Sequence, residues 1–253
     1  MKTKNVTLRI DANLYENYRS HCKTNNLLIS RQFEILMEKS LGTGYNKKNP
    51  SVKKNSFPYV GSLTGEPFML HENKIVANLL LQNKDLSSIR EIIVQENLFG
   101  YKTIKSVPKR VNSIIKRIGK LDSKLLDKIA NDLSGDGKAV ILYSIYRRDR
   151  LFQEFMNEII IEKFSIRDFD FNKKMINKFI NDKSDCERKI REFTNETKLK
   201  LATVIFNILK ESGLVMESGN LSKLNNLFIS SDLRNYFENN GDLKFIKSLG
   251  VLQ

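Results

Sequence analysis

Apolar residues recur at helical spacing through most of this chain, and this periodicity predicts a mainly α-helical protein. The pattern begins after residue 59 and repeats in segments separated by short polar or glycine-containing stretches. The residues that mark successive helices are Ile75, Val76, Leu79 and Leu80; Ile89, Ile92 and Ile93; Val107, Val111, Ile114, Ile115 and Ile118; Leu125, Leu126, Ile129 and Leu133; residues 139–146; Phe152, Phe155, Met156, Ile159 and Ile160; Met175, Ile176, Phe179 and Ile180; Leu201, Ile205, Ile208 and Leu209; and Leu233, Tyr236 and Phe237. We therefore expect residues 59–253 to form a helical domain, with a small hairpin within residues 214–229.

The first 42 residues follow a different pattern. Residues 5–11 alternate between polar and apolar side chains, which is typical of a half-buried strand. Two helical segments follow, the first capped by Asp11 and the second by Ser30. Residues 43–58 are rich in Gly, Asn, Ser, Pro and Lys, and they predict a flexible basic linker. The expected organisation is thus residues 1–42, a linker over 43–58, and a domain over 59–253.

Strand, helix, turn and helix in about 40 residues resemble the ribbon-helix-helix family of DNA-binding proteins. The resemblance implies that the strands of two subunits pair into a ribbon that enters the major groove, which requires a homodimer. It further implies that Asn5, Thr7 and Arg9 read base edges and that the backbone amides near Ser30 and Arg31 contact a phosphate. An ordinary strand at the edge of a larger α/β sheet is the alternative.

The charge balance favours a polyanionic partner. The chain carries 43 basic and 29 acidic residues, a net charge of +14, and residues 1–58 alone carry 11 basic and 4 acidic residues. Residues 97–121 contain seven basic residues and no acidic one. On a helical projection Lys109, Lys116 and Lys120 lie opposite an apolar stripe, with Arg110 and Arg117 beside them, and Lys102 and Lys105 extend the patch. We predict that these charges contact the phosphates of double-stranded DNA. The predicted contact residues are Lys102, Lys105, Lys109, Arg110, Lys116, Arg117 and Lys120.

A second basic cluster contains Arg147 and Arg148, with Asp149 beside them as a local neutralising charge. For both clusters the alternative is a solvated helix surface that binds nothing.

The sequence lacks the residues or motifs that several classes of protein require. No apolar run exceeds five residues, which predicts no transmembrane helix and no membrane partner. Two cysteines argue against a disulfide framework and favour a cytoplasmic protein. We interpret Cys22, next to His21, as a buried thiol rather than a metal ligand. Phosphate-binding loops of the GxxxxGK[ST] kind and the GxSxG and HExxH motifs are missing, so we expect no enzyme, no metal and no cofactor.

An ordered set of segments from residue 59 onward resembles the BrxA-type small component of bacterial BREX (bacteriophage exclusion) defence systems. These segments are residues 60–65, Phe68, Leu70, and residues 74–81, 92–99, 109–111, 150–152, 155–156, 201–206, 209–214 and 232–236. The resemblance implies a compact helical protein, similar in its core to NusB-like antitermination factors, that takes part in phage restriction beside other BREX proteins and is not an enzyme. DNA binding is our first interpretation of its role. A protein–protein scaffold of the defence complex and an RNA-binding antitermination-like factor are the alternatives.

Overall fold

The computed structural model describes residues 10–24, the single residues Ile29 and Phe33, and residues 58–131, 135–219 and 221–251. The chain divides into two compact units, Met1–Lys54 and Asn55–Gln253.

The first unit contains helix α1 (Ala12–Thr24). The backbone N–H of Leu14 donates to Asp11 Oδ1 at 2.9 Å, which confirms Asp11 as the N-cap. Cys22 is buried, as its place on the apolar stripe predicted. Most of the predicted ribbon strand and of the predicted second helix lies outside the described residues, so the ribbon-helix-helix arrangement stays a prediction.

The second unit is mainly helical, as the periodicity predicted. Its helices are α2 (Leu70–Leu81), α3 (Leu86–Gln95), α4 (Val107–Ile118), α5 (Ser123–Ala130), α6 (Asp136–Arg148), α7 (Arg150–Phe155), α8 (Ile161–Ser165), α9 (Lys173–Cys186), α10 (Arg188–Arg191), α11 (Asn195–Ser212), α12 (Ser231–Asn239) and α13 (Leu243–Ser248). A π-helical turn, Met156–Ile160, joins α7 to α8, and two 3-10 turns cover Gly61–Gly65 and Ile104–Ser106.

A small antiparallel sheet accompanies the helices. The predicted hairpin is confirmed as β2 (Val215–Ser218) and β3 (Leu221–Leu224), in which Val215 pairs with Leu224 and Ser218 with Leu221. Strand β1 (Asp170–Phe171) pairs with β3, so the strand order is β1-β3-β2. The sequence did not predict β1, because two residues are too few to show a period of two.

The core of the second unit is one cluster of buried apolar side chains to which almost every helix contributes. Helix α6 lies at its centre, because Ala139, Val140, Ile141, Leu142 and Ile145 are all buried. A helix that is apolar on all sides must be surrounded by other elements. Helices α4, α5 and α12 each turn one polar side outward, and the candidate site lies where these three helices meet the end of α6.

Helix starts in this unit are fixed by polar side chains that accept hydrogen bonds from the first turn. The capping residues are Asp85, Asp122, Asp149, Asn172, Thr194 and Ser230. Helix α5 ends at Ala130, and Leu133, which the pattern assigned to it, lies outside the described residues. The last helical segment expected from the sequence is confirmed as α12, and a further helix that the sequence did not predict, α13, follows a turn at Gly241 with φ of 77°.

Candidate nucleic-acid interface

Helix α4 separates a buried apolar side from an exposed basic side. Val107, Val111, Ile114, Ile115 and Ile118 are buried, which leaves the opposite side of the helix to solvent. Lys109 and Lys116 are exposed on that side, and Lys120 follows in the turn after the helix. None of these lysines forms an ion pair with a described acidic residue. Their charges are therefore available to an outside anion.

The basic surface extends to the residues before α4. Lys102 and Lys105 are exposed and also lack an ion-pair partner among the described residues. Arg110 is held closer to the protein, with its guanidinium 5.9 Å from the centre of the Tyr101 ring and 3.4 Å from the Met69 sulfur. We call the exposed lysines at positions 102, 105, 109, 116 and 120 the lysine ridge.

Arg117 departs from its expected placement on the exposed basic side. It is only 4% exposed. Its guanidinium donates hydrogen bonds to the carbonyl oxygens of Glu66, Pro67 and Phe68 at 2.9–3.0 Å. The residue lies at the border of the apolar stripe, where the helical projection cannot show that the Glu66–Phe68 segment covers it. Arg117 therefore serves the fold.

Arg147 and Arg148 end helix α6 and are exposed, and both have acidic partners. Arg147 lies 3.2 Å from Asp242, and Arg148 lies 3.7 Å from Glu66. Asp149 forms no direct ion pair with either arginine, because its carboxylate caps α7 and accepts from the N–H of Phe152 at 2.8 Å, although the charge of Arg148 lowers its pKa. The arginine charges are thus partly offset by acids that are distant in the sequence.

The two basic clusters, treated separately in the sequence, meet in space. Lys116 and Lys120 from the lysine ridge and Arg147 and Arg148 from α6 line one hollow of about 440 Å³. Arg117 also reaches its wall, and Asp122 contributes a carboxylate. This concave surface brings together five cations and one carboxylate, with Arg147 and Arg148 paired to Asp242 and Glu66.

Other residues of this hollow could not be found from local sequence patterns. Tyr143, Tyr236 and Asn240 line it from α6 and from the α12 region, more than a hundred residues after α4 in the last two cases. The Tyr236 hydroxyl donates to Asp122 Oδ2 at 2.6 Å, and the Tyr143 hydroxyl donates to Asp242 Oδ2 at 2.6 Å. Burial, together with the hydrogen bond to Asp122, raises the pKa of Tyr236 to about 12.

The predicted base-reading residues Asn5, Thr7 and Arg9, and the predicted phosphate contacts at Ser30 and Arg31, lie outside the described residues. Within the described part of the chain, no three His, Cys, Asp or Glu side chains come together as a metal site. No helix among the described residues is long and apolar enough to cross a membrane.

Comparison with known proteins decides the family. The BrxA family model matches residues 57–241 of the chain. The chain belongs to the BrxA family. It is 31% identical over 163 residues to a Bacillus cereus protein named BREX protein BrxA, a match covering 64% of this chain and 82% of the relative. An Escherichia coli BREX protein BrxA is 22% identical over 169 residues, covering 65% of this chain and 78% of the relative.

A solved structure also resembles this chain in its fold. The crystal structure of an uncharacterized protein from Magnetospirillum magneticum superposes with a TM-score of 0.62 at 19% identity, covering 76% of this chain and 97% of that one. At this identity the likeness shows a shared fold. The BrxA family match begins at residue 57, so the segment that resembles a ribbon-helix-helix protein precedes the shared region.

Proposed function

We propose that this chain is a non-enzymatic, DNA-binding component of a BREX phage-defence system. Its membership of the BrxA family, whose matched relatives are named as BREX proteins, supports the assignment to BREX. The observation that carries DNA binding is the lysine ridge, five exposed lysines without acidic partners among the described residues, which continues into the cationic hollow at the end of α6.

Two kinds of contact are proposed. The lysine ridge binds phosphates without reading sequence, and its span from Lys109 to Lys120 is about 16 Å at about 1.5 Å per residue. That length is roughly half of one turn of duplex DNA, which is about 34 Å. The N-terminal strands of a homodimer form the ribbon whose Asn5, Thr7 and Arg9 read bases, while the amides near Ser30 and Arg31 hold a phosphate.

The test is the salt dependence of binding to a mixed-sequence duplex between 50 and 200 mM salt. Each phosphate contact contributes about 0.9 to the slope of log K against log salt. A Lys109/Lys116/Lys120→Ala triple variant should therefore lose about 2.7 from this slope per bound copy. The matched control is Lys173/Lys174/Lys178→Ala on α9, which removes three exposed, unpaired lysines of the described chain and should leave the slope much closer to that of the wild type.

Equal slopes for the two triple variants would show that the ridge has no special part in binding. Arg9→Ala should change the slope of log K against log salt by no more than the contribution of one phosphate contact, about 0.9. The same variant should lose any preference for fragments from upstream of the protein's own operon. Competition by single-stranded RNA at the same concentration as duplex DNA would instead favour the RNA-binding alternative.

A scaffold function within the defence complex is the second candidate, and the hairpin supports it. Met216 and Leu221 point to the same side of β2 and β3 and are 60% and 66% exposed. We propose another protein of the same BREX system as the partner. A complex formed on co-expression that survives salt and nuclease, and is lost in Met216→Ser/Leu221→Ser, would establish this role.

A further inference from the structure

Two adjoining hollows form a groove across α4, α5, α6 and α12. The cationic hollow of about 440 Å³ lies at the ends of α4 and α6. A second hollow of about 480 Å³ lies between α5 and α12. Leu125, Tyr236 and Asn240 line both hollows, so the two are neighbours with a common wall. Each is within the size range of small-molecule sites, about 300–1,000 Å³.

The two hollows differ in charge. The first is lined by five cations and one carboxylate. The second contains Lys124 and Lys128 balanced by Asp127 and Asp232, so its lining has no net charge. Its remaining polar groups are mainly amides, from Asn235, Asn239 and Asn240. One half of the groove thus suits an anion, and the other suits an uncharged polar ring.

Most of the side chains that would contact a ligand have few internal partners, and Arg147, which pairs with Asp242, is the exception. Lys116 and Lys120 form no ion pair, and the amides of Asn235 and Asn239 form no hydrogen bond, with the described residues. An asparagine amide carries both donors and an acceptor, the combination that pairs with the edge of a nucleobase. Between the two halves, the hydrogen bond from Tyr236 to Asp122 fixes the position of the Tyr236 ring. A fixed aromatic ring beside a cationic surface is a platform on which a base can stack.

We propose that this groove binds a nucleoside phosphate, with its phosphates at Lys116, Lys120 and Arg147 and its base against Tyr236 and Asn239. This goes beyond the proposed duplex contact, because a paired duplex keeps its bases stacked inside the helix and cannot insert one into a hollow. Two ligands present this combination of a base and a phosphate: a free nucleotide and the unpaired terminal nucleotide of a DNA strand. Duplex binding is not required for it, although Lys116 and Lys120 serve both.

The first experiment titrates the full chain with ADP and with inorganic pyrophosphate by calorimetry. Saturable ADP binding is expected, tighter than pyrophosphate. Lys116→Ala/Lys120→Ala should weaken both ligands at least tenfold, since charge-assisted hydrogen bonds contribute about 1.5–3 kcal/mol each. Asn239→Ala should weaken ADP about fivefold, the effect of one neutral hydrogen bond, and leave pyrophosphate unchanged. The control Lys174→Ala/Lys178→Ala on α9 should match the wild type for both ligands.

The second experiment identifies the source. It compares a blunt duplex with one that carries a single unpaired nucleotide ending in a 5′-phosphate. An Asn239-dependent gain for the overhang, with competition by ADP, assigns the groove to a strand end. ADP binding without such a gain assigns it to a free nucleotide.

The proposal is wrong if neither ADP nor the overhang binds saturably, or if pyrophosphate binds as tightly as ADP and Asn239→Ala changes neither. Because duplex binding is measured separately with blunt DNA, this failure leaves the proposed function intact. If the wild-type chain binds ADP but does not bind blunt duplex DNA, the proposed function is wrong and the nucleotide site stands. Thermal unfolding of each variant, followed by circular dichroism, confirms that the fold is unchanged.

Discussion

At the scale of single residues, Arg117 shows how one side chain can serve the fold from within a basic segment. Burial lowers the pKa of its guanidinium to about 10, so it stays charged at neutral pH. Its three hydrogen bonds hold the segment that leads to Met69, whose φ of 55° is in the left-handed region that costs a non-glycine residue about 1 kcal/mol or more. The helical projection placed Arg117 on the exposed basic side of α4, whereas its side chain is buried. The segment that covers it, about fifty residues earlier, could not be predicted from helical spacing.

Arg117→Met should therefore lower the free energy of unfolding by about 2–3 kcal/mol, because methionine fills similar space but leaves the carbonyl oxygens of Glu66 and Pro67 without a donor, while that of Phe68 keeps the Asn73 amide. Urea unfolding measures this. The neighbouring Lys116→Met, at an exposed and unpaired position of the described chain, should change stability by less than about 0.5 kcal/mol. The salt slope of DNA binding should fall in Lys116→Met and stay unchanged in Arg117→Met. The reverse order of the two variants in either measurement would contradict this division of roles.

At the scale of elements, the junction between α6 and α7 depends on Asp149. Burial raises the pKa of this carboxyl to about 6, and the nearby Glu66 adds to the rise, while the N–H of Phe152 and the charge of Arg148 oppose it. In the unfolded chain an aspartate has a pKa of about 3.9. Between these two values the folded protein binds the proton more tightly, so stability falls as the pH rises from about 4 to 7.

The size of this effect is about 3 kcal/mol for a pKa difference of about two. Asp149→Asn keeps an effective cap on α7 and removes the titration. The variant should be more stable than the wild type at pH 7.5, and most of that gain should disappear at pH 4.5. Urea unfolding at both pH values is the measurement. An equal difference between the two proteins at both pH values would show that ionisation of Asp149 does not control the junction.

Elements differ in how well the sequence predicted them. Helices with a clear apolar stripe, such as α4 with its proline in the first turn and the Thr194-capped α11, are found where the pattern placed them. The shared exposed side of Lys109 and Lys116 was predicted for the same reason, since one helix determines which of its side chains share a side. The cationic hollow was not, because Tyr236 and Asn240, which are distant from α4 in the sequence, line it only in the folded chain. Helical spacing describes one element, whereas a hollow depends on the contacts between several.

At the scale of the whole molecule, the proposed ribbon requires two copies, since a lone strand leaves its backbone groups without partners. The full chain should sediment as a dimer at about 10 μM, a concentration at which the unit Asn55–Gln253 should be monomeric. Leu8→Asp, which places a charge on the apolar side of the ribbon, should dissociate the dimer, while Arg9→Ala on the outward side should not. A monomeric full chain, or a dimeric Asn55–Gln253 unit, would contradict dimerisation through the N-terminal strand.

A dimer that places both lysine ridges on one duplex doubles the number of phosphate contacts. The Lys109/Lys116/Lys120→Ala variant should therefore lose about 5 from the salt slope of the dimer, and Leu8→Asp should halve the slope.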